Sequence, residues 1–153
     1  MVCNFIAKKI VSILIIFIST STLADEPILG KWLVVNSQTG QVKAIMEFKK
    51  DIDNTISGSN IKFIDENLNK NNICSKCPEP FRDKPLLGTK VVWGLKKAEK
   101  YGEYVNGYAL DAMNGKIYNG KAKVTNDGRR LNIRGYASSS LLGRTEVWLR
   151  APD

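Results

Sequence analysis

The chain has 153 residues and carries 23 Lys and Arg against 15 Asp and Glu, a formal charge of +8. It contains no histidine, which removes the commonest general base and the commonest metal ligand, and with them every catalytic arrangement built on a Ser–His or Cys–His pair. The length suits one ordinary domain with a single core and is too short for two.

The chain opens MVCNFIAKKIVSILIIFISTSTLADEP. Lys8 and Lys9 precede an apolar run from Ile10 to Ile18, and a small, polar stretch ends Thr22-Leu23-Ala24, the layout of a secretory signal peptide. The run is too short for the roughly 20 residues of a spanning helix, so no membrane span is expected. The expected organisation is a signal peptide over 1–24, cleaved after Ala24, and a single periplasmic or secreted domain over 25–153. Cys3 lies in the removed segment, and no cysteine stands at the cleavage point to carry a lipid. Loss of Lys8 and Lys9 leaves a formal charge of +6. A basic balance often accompanies nucleic acid, but export argues against that partner, and none is expected. It leaves anionic membrane surfaces, acidic envelope polymers and acidic small molecules, or a solvated surface of mixed charge, which the even scatter of lysines and arginines fits.

From Leu29 onward the apolar pattern has period two, the signature of half-buried strands. Eight are predicted, at about 30–36, 41–49, 53–63, 89–95, 103–111, 116–124, 130–137 and 143–150. In the second, Val42, Ala44, Met46 and Phe48 alternate with Lys43, Glu47 and Lys49. In the sixth and seventh, Tyr118, Gly120, Ala122 and Val124, then Leu131, Ile133 and Gly135, form the apolar set. In the last, Thr145, Val147 and Leu149 read as the buried face against Arg144, Glu146, Trp148 and Arg150. Thr39-Gly40, Asn106-Gly107, Asn114-Gly115 and Asp127-Gly128 supply hairpin turn signals. A helix has room only at Lys96 to Lys100. The predicted fold is all-β, an eight-stranded antiparallel up-and-down barrel, with an open sheet or sandwich as the alternative.

Between the third and fourth strands lies a long polar segment, about 65–85, that contains Cys74-Ser75-Lys76-Cys77-Pro78-Glu79-Pro80. A closed zinc site requires four ligands, and the exported chain would offer two cysteines and no histidine. A thioredoxin-type pair sits at the start of a helix, which Pro78 and Pro80 oppose. A disulfide between Cys74 and Cys77 remains, in keeping with an oxidising compartment. A ring this small contributes roughly 2 kcal/mol before strain, so it is expected to stiffen the loop tip without holding the barrel together. No metal and no cofactor are expected.

Several stretches together carry a resemblance to a known family: Pro27-Ile28-Leu29-Gly30-Lys31-Trp32, Asp83-Lys84-Pro85-Leu86-Leu87-Gly88, Trp93-Gly94-Leu95-Lys96, Asn114-Gly115-Lys116-Ile117-Tyr118-Asn119-Gly120-Lys121, and Gly143-Arg144-Thr145 leading to Trp148. Over nearly all of the exported part the chain resembles the secreted bacterial family called domain of unknown function 2147. The resemblance implies a lipocalin-like barrel and supplies no catalytic residue. Gly30-Lys31-Trp32 is also similar to the Gly-x-Trp opening of the wider lipocalin superfamily, in which a first-strand tryptophan packs beneath a basic residue of the last strand. In an even-stranded barrel the start of the first strand lies beside the end of the last, which makes Arg150 the partner of Trp32 in a structural clasp. Arg144 then falls near the open end, close to Asn36, as a candidate for an anionic ligand group or as a solvent-facing arginine.

Little here supports an enzyme. Asp51 with Asp53, and Asp65 with Glu66, lie in polar turns where carboxylates are solvated, and Asp111 before Asn114-Gly115 fits turn chemistry. No glycine-rich phosphate loop or metalloprotease helix occurs. The leading expectation is a binder of a small apolar or anionic ligand, with Met46, Phe48, Trp93, Tyr118 and Val147 lining a cavity or, alternatively, filling a solid core. The other reading is a solid-barrel interaction module of the cell envelope that binds through the 65–85 loop. An interior void separates the two.

Overall fold

The computed structural model describes residues 26–65, 72–139 and 141–152. The proposed signal peptide lies outside the described residues, as does the stretch 66–71 of the long loop. Eight strands follow in order: β1 (Gly30–Val35), β2 (Val42–Lys50), β3 (Ile56–Phe63), β4 (Lys90–Lys97), β5 (Glu103–Asp111), β6 (Lys116–Val124), β7 (Arg130–Tyr136) and β8 (Gly143–Arg150). Each pairs antiparallel with its neighbours, and β1 also pairs with β8, so the sheet closes into a barrel.

β3 begins later than the sequence suggests because Asp51 to Thr55 forms a tight turn. Asp53 Oδ1 accepts from the Thr55 amide at 3.0 Å and from its hydroxyl at 2.7 Å. The weak helix candidate at Lys96 to Lys100 is not a helix: β4 runs on to Lys97 and a turn follows. Asn106-Gly107 is not a hairpin turn either. Asn106, at φ 58°, marks an irregularity inside β5, where the register against β6 shifts between Tyr104 and Gly107.

The two ends differ. At the closed end Ile28, Trp32, Phe48, Ile56, Leu95, Tyr104, Val124 and Leu131 are buried together. Ile28 comes from the segment ahead of β1 and is fully buried, so that segment plugs the barrel. Burying such a side chain contributes about 1.5–3 kcal/mol. Arg150 fastens the plug. Its guanidinium lies 3.8 Å from the centroid of the Trp32 ring. It donates to the carbonyl oxygens of Leu29 at 2.7 Å, of Gly128 at 3.2 Å and of Pro27. Trp32 Nε1 in turn donates to Ile28 O at 2.8 Å.

The inner face of β8 is the reverse of the sequence expectation. Trp148 is buried, Glu146 and Arg150 are half-buried, and Val147 is 46% exposed on the outer face. The cause is the seam: Trp32 pairs with Arg150 and Leu33 with Leu149. Because residues two apart share a face, an inward Arg150 carries Trp148, Glu146 and Arg144 inward with it.

The Cys74–Cys77 disulfide is present, but it is not a clip on an exposed tip. Cys74 and Cys77 are 1% and 0% exposed and belong to the core cluster. The loop is stitched to itself by Cys74 N to Lys84 O at 3.0 Å and Leu86 N to Asn72 O at 2.7 Å, and to β3 by Gly88 N to Asn60 O at 2.7 Å. It also lies against the β5–β6 hairpin. Gly115, at φ 72°, leaves no room for a Cβ, which would overlap the Lys76 carbonyl. Cys74 Sγ is 3.8 Å from Ala112 O.

Candidate functional site

At the open end the barrel is hollow. A cavity of about 940 Å³ runs inward from the mouth. Its wall reaches down to Met46, Ile133 and Trp148, whereas the next inward residues toward the closed end, Trp32, Phe48 and Leu131, are packed core and do not line it. The size lies within the range of small-molecule pockets, and the lining is mostly aliphatic and aromatic.

The strands set this lining by alternation. β6 turns Tyr118 inward and β7 turns Ile133 and Gly135 inward, as their period-two patterns require. Gly135 pairs with Arg144 across β7 and β8. A Cβ at Gly135 would make only ordinary contact with Tyr118, 3.6 Å away, so the wall there has spare depth.

A few polar groups break the apolar surface. Asn60, on β3, is only 8% exposed and lines the cavity, and its carboxamide makes no hydrogen bond to a described residue. Glu146 accepts from Trp148 Nε1 at 3.2 Å through one oxygen, and Arg144 approaches the other at 3.8 Å. Arg144, Glu146 and Trp148 thus form a row from mouth to depth along β8. Asn36 and Lys43 complete the mouth beside Arg144. Asp111 is turned into its own hairpin, accepting from the Met113 amide at 2.9 Å and the Asn114 carboxamide at 3.0 Å. Among the described residues no three Cys, Asp or Glu side chains converge as a metal site would require.

Of the residues singled out in the sequence, Met46, Tyr118 and Arg144 line the cavity. Phe48 does not: it is fully buried below, its ring centroid 6.3 Å from that of Trp148. Trp93 is on the outer face. It pairs with Tyr108 across β4 and β5, and its ring lies 5.8 Å from Tyr108 and 5.3 Å from Phe81 of the long loop. That loop covers it, which is why so apolar a residue can sit outside the barrel. Val147 is outside as well, for the parity reason given above. Trp32 and Arg150 make their contact at the far end, away from the cavity.

Sequence reasoning missed Asn60, Glu146 and Trp148 as lining. Asn60 sits in a strand, ISGSNIKF, whose small and polar residues hide its alternation. Glu146 and Trp148 could have been found by extending the Arg150 pairing two residues at a time.

One ionisable group at the closed end is strongly perturbed. The Tyr104 hydroxyl donates to Glu26 Oε2 at 3.0 Å. Burial raises its pKa well above the usual phenol value, and the hydrogen bond to the Glu26 carboxylate and that group's charge add to the effect.

A family model described as "Uncharacterized protein conserved in bacteria (DUF2147)" matches residues 30–150. Among solved structures, a Helicobacter pylori protein, HP1028, described as belonging to the lipocalin family, superposes with a TM-score of 0.69 at 21% identity. The match covers 82% of this chain and 84% of that one. No curated protein matches the chain.

Proposed function

The chain belongs to the DUF2147 family of bacterial proteins, and on that premise we propose that it is an exported binding protein, not an enzyme, which takes a small, largely apolar molecule into the open end of its barrel. The cavity carries this reading: about 940 Å³ of mainly apolar wall, open at one end and plugged at the other. Apolar surface drives the ligand in, while a few polar groups fix its orientation. Asn60 offers a carboxamide to the interior, and Lys43 and Arg144 offer positive charge at the mouth, where an anionic or polar end of the ligand would rest. The long loop serves the same site, since Ile73 and Leu86 contribute to the wall. Export is supported by the signal-peptide layout of residues 1–24 and by a disulfide, which persists in oxidising compartments.

The test is displacement of the fluorescent apolar probe N-phenyl-1-naphthylamine, read also through Trp148, alongside native mass spectrometry of protein recovered from its own compartment. Gly135→Leu should fill the cavity and weaken probe binding at least about tenfold, roughly 1.4 kcal/mol, with the melting temperature held or raised. Equal probe binding by wild type and Gly135→Leu would remove the cavity from consideration.

A further inference from the structure

The mouth of the barrel is bordered by large apolar side chains that nothing among the described residues covers. Met113, at the tip of the β5–β6 hairpin, is 86% exposed, and Leu141 and Leu142, in the β7–β8 connection, are 87% and 75% exposed. Single exposed apolar residues are ordinary on a protein surface. Ile52 and Tyr101, each alone in a closed-end turn, are of that kind. Met113, Leu141 and Leu142 differ because they stand on two separate loops at one end of the barrel, around one opening, and Met113 and Leu142 also line the cavity.

The charges at that end are arranged to match. Lys43 lies at the mouth, Lys116 follows Met113 on the same hairpin, Lys76 is pressed against that hairpin by its carbonyl contact with Gly115, and Arg144 follows Leu142. Lys43, Lys76 and Lys116 make no ion pair with a described residue, and Arg144 has only the long 3.8 Å approach to Glu146. At the closed end Lys97 pairs with Glu26, and Lys100 and Lys123 pair with Glu103, while Lys50, Arg129 and Arg130 there make no ion pair with a described residue. Acids also lie at that end: Asp65 and Asp111 at the mouth, and Glu79 and Asp83 exposed on the same loop as Lys76. Asp111 is engaged within its hairpin, and Asp65 has partners of its own.

We propose that the open end docks on an anionic phospholipid surface, with Met113, Leu141 and Leu142 inserted among the acyl chains and Lys43, Lys76, Lys116 and Arg144 set against the phosphate groups. Aliphatic tips flanked by cations are what binding to such an interface requires, because acyl burial and headgroup attraction each contribute and neither suffices alone. In this orientation the cavity faces the membrane, so a hydrophobic molecule could pass between bilayer and barrel without crossing water. The surface stands independently of what fills the cavity.

The experiment is flotation of protein purified from the compartment in which it accumulates. Vesicles of phosphatidylcholine alone are compared with vesicles that also contain phosphatidylglycerol. Binding is expected only with phosphatidylglycerol and should fall as salt is raised. Lys116→Ala should weaken it roughly fivefold. The triple variant Met113→Ser, Leu141→Ser, Leu142→Ser should weaken it further at unchanged charge, and because these side chains are exposed its melting temperature should not move. No flotation with anionic vesicles, equal flotation with neutral ones, or a triple variant that binds as wild type would each overturn the proposal. Recovery on an envelope protein without vesicle binding would do the same. Probe displacement measured without vesicles reports on the cavity alone, so either reading can fail without the other.

Discussion

Replacing Arg150 with Ala removes the fastening of the closed end. The guanidinium stacks on Trp32 at 3.8 Å and holds the carbonyls of Pro27, Leu29 and Gly128. A cation over an indole contributes about 0.5–2 kcal/mol, and each hydrogen bond from a charged donor about 1.5–3 kcal/mol. The site lies at the barrel end, where water can enter the space left by the side chain and resolvate part of the carbonyls. Discounted for that, the loss should be about 3 kcal/mol. For a domain of this size it corresponds to a fall in melting temperature of roughly 10 °C. Urea unfolding followed by tryptophan emission would measure it, with an unchanged m-value showing that the barrel still closes. Arg150→Lys keeps the charge but cannot reach three carbonyls, and should recover less than half of the loss. A deficit under about 1 kcal/mol for Arg150→Ala would refute the view that the N-terminal plug depends on this residue.

Three further outcomes follow from the same geometry. Gly115→Ala places a methyl group against the Lys76 carbonyl at a positive φ, so it should lift the disulfide loop from the hairpin and cost about 2 kcal/mol by calorimetry. Loss of both Cys74 and Cys77 to Ser should cost about 2–4 kcal/mol, because a small ring is opened and two hydroxyls replace buried sulfur; a shift under about 0.5 kcal/mol would restore the view of the disulfide as a surface clip. The raised pKa of Tyr104 stabilises the fold fully below about pH 10, the pKa of an unfolded tyrosine, and that stability is lost as pH rises from there toward the folded value. Stability should therefore fall by up to about 1.4 kcal/mol per pH unit above pH 10 from this group, and Tyr104→Phe should flatten that slope in urea titrations.

The strands were legible because this chain alternates cleanly where one face is buried and one is wet, as at Val42 to Phe48 and Tyr118 to Val124. The Trp32–Arg150 contact was legible from the Gly-x-Trp resemblance together with closure, since an even number of antiparallel strands brings the start of the first beside the end of the last and so picks Arg150 as the basic partner. The face of β8 was misread because inward residues near a cavity need not be apolar. Arg144 and Glu146 line the hollow, and Val147 and Leu149 face outward, so hydrophobicity pointed the wrong way while register pointed the right way. Trp93 was misplaced because its cover, Phe81, comes from the long loop, and no local pattern announces a contact across that separation. The disulfide was identified from chemistry and compartment. Its burial depends on Lys76 meeting Gly115, a fit that no spacing of cysteines encodes.

The seam between β1 and β8 also bears on how the barrel comes together. Every other pairing joins strands adjacent in the chain, but Trp32 meets Arg150 and Leu33 meets Leu149 across almost the whole described length. Local pairings lose the least chain entropy and form early, whereas a contact between the two ends is reached only when the sheet between them already exists. Closure is then a late event, and the seam acts on the lifetime of the folded barrel more than on the speed of its formation. A weakened seam should leave the folding rate nearly unchanged and let the barrel open sooner, with the plug at Ile28 released in the same motion.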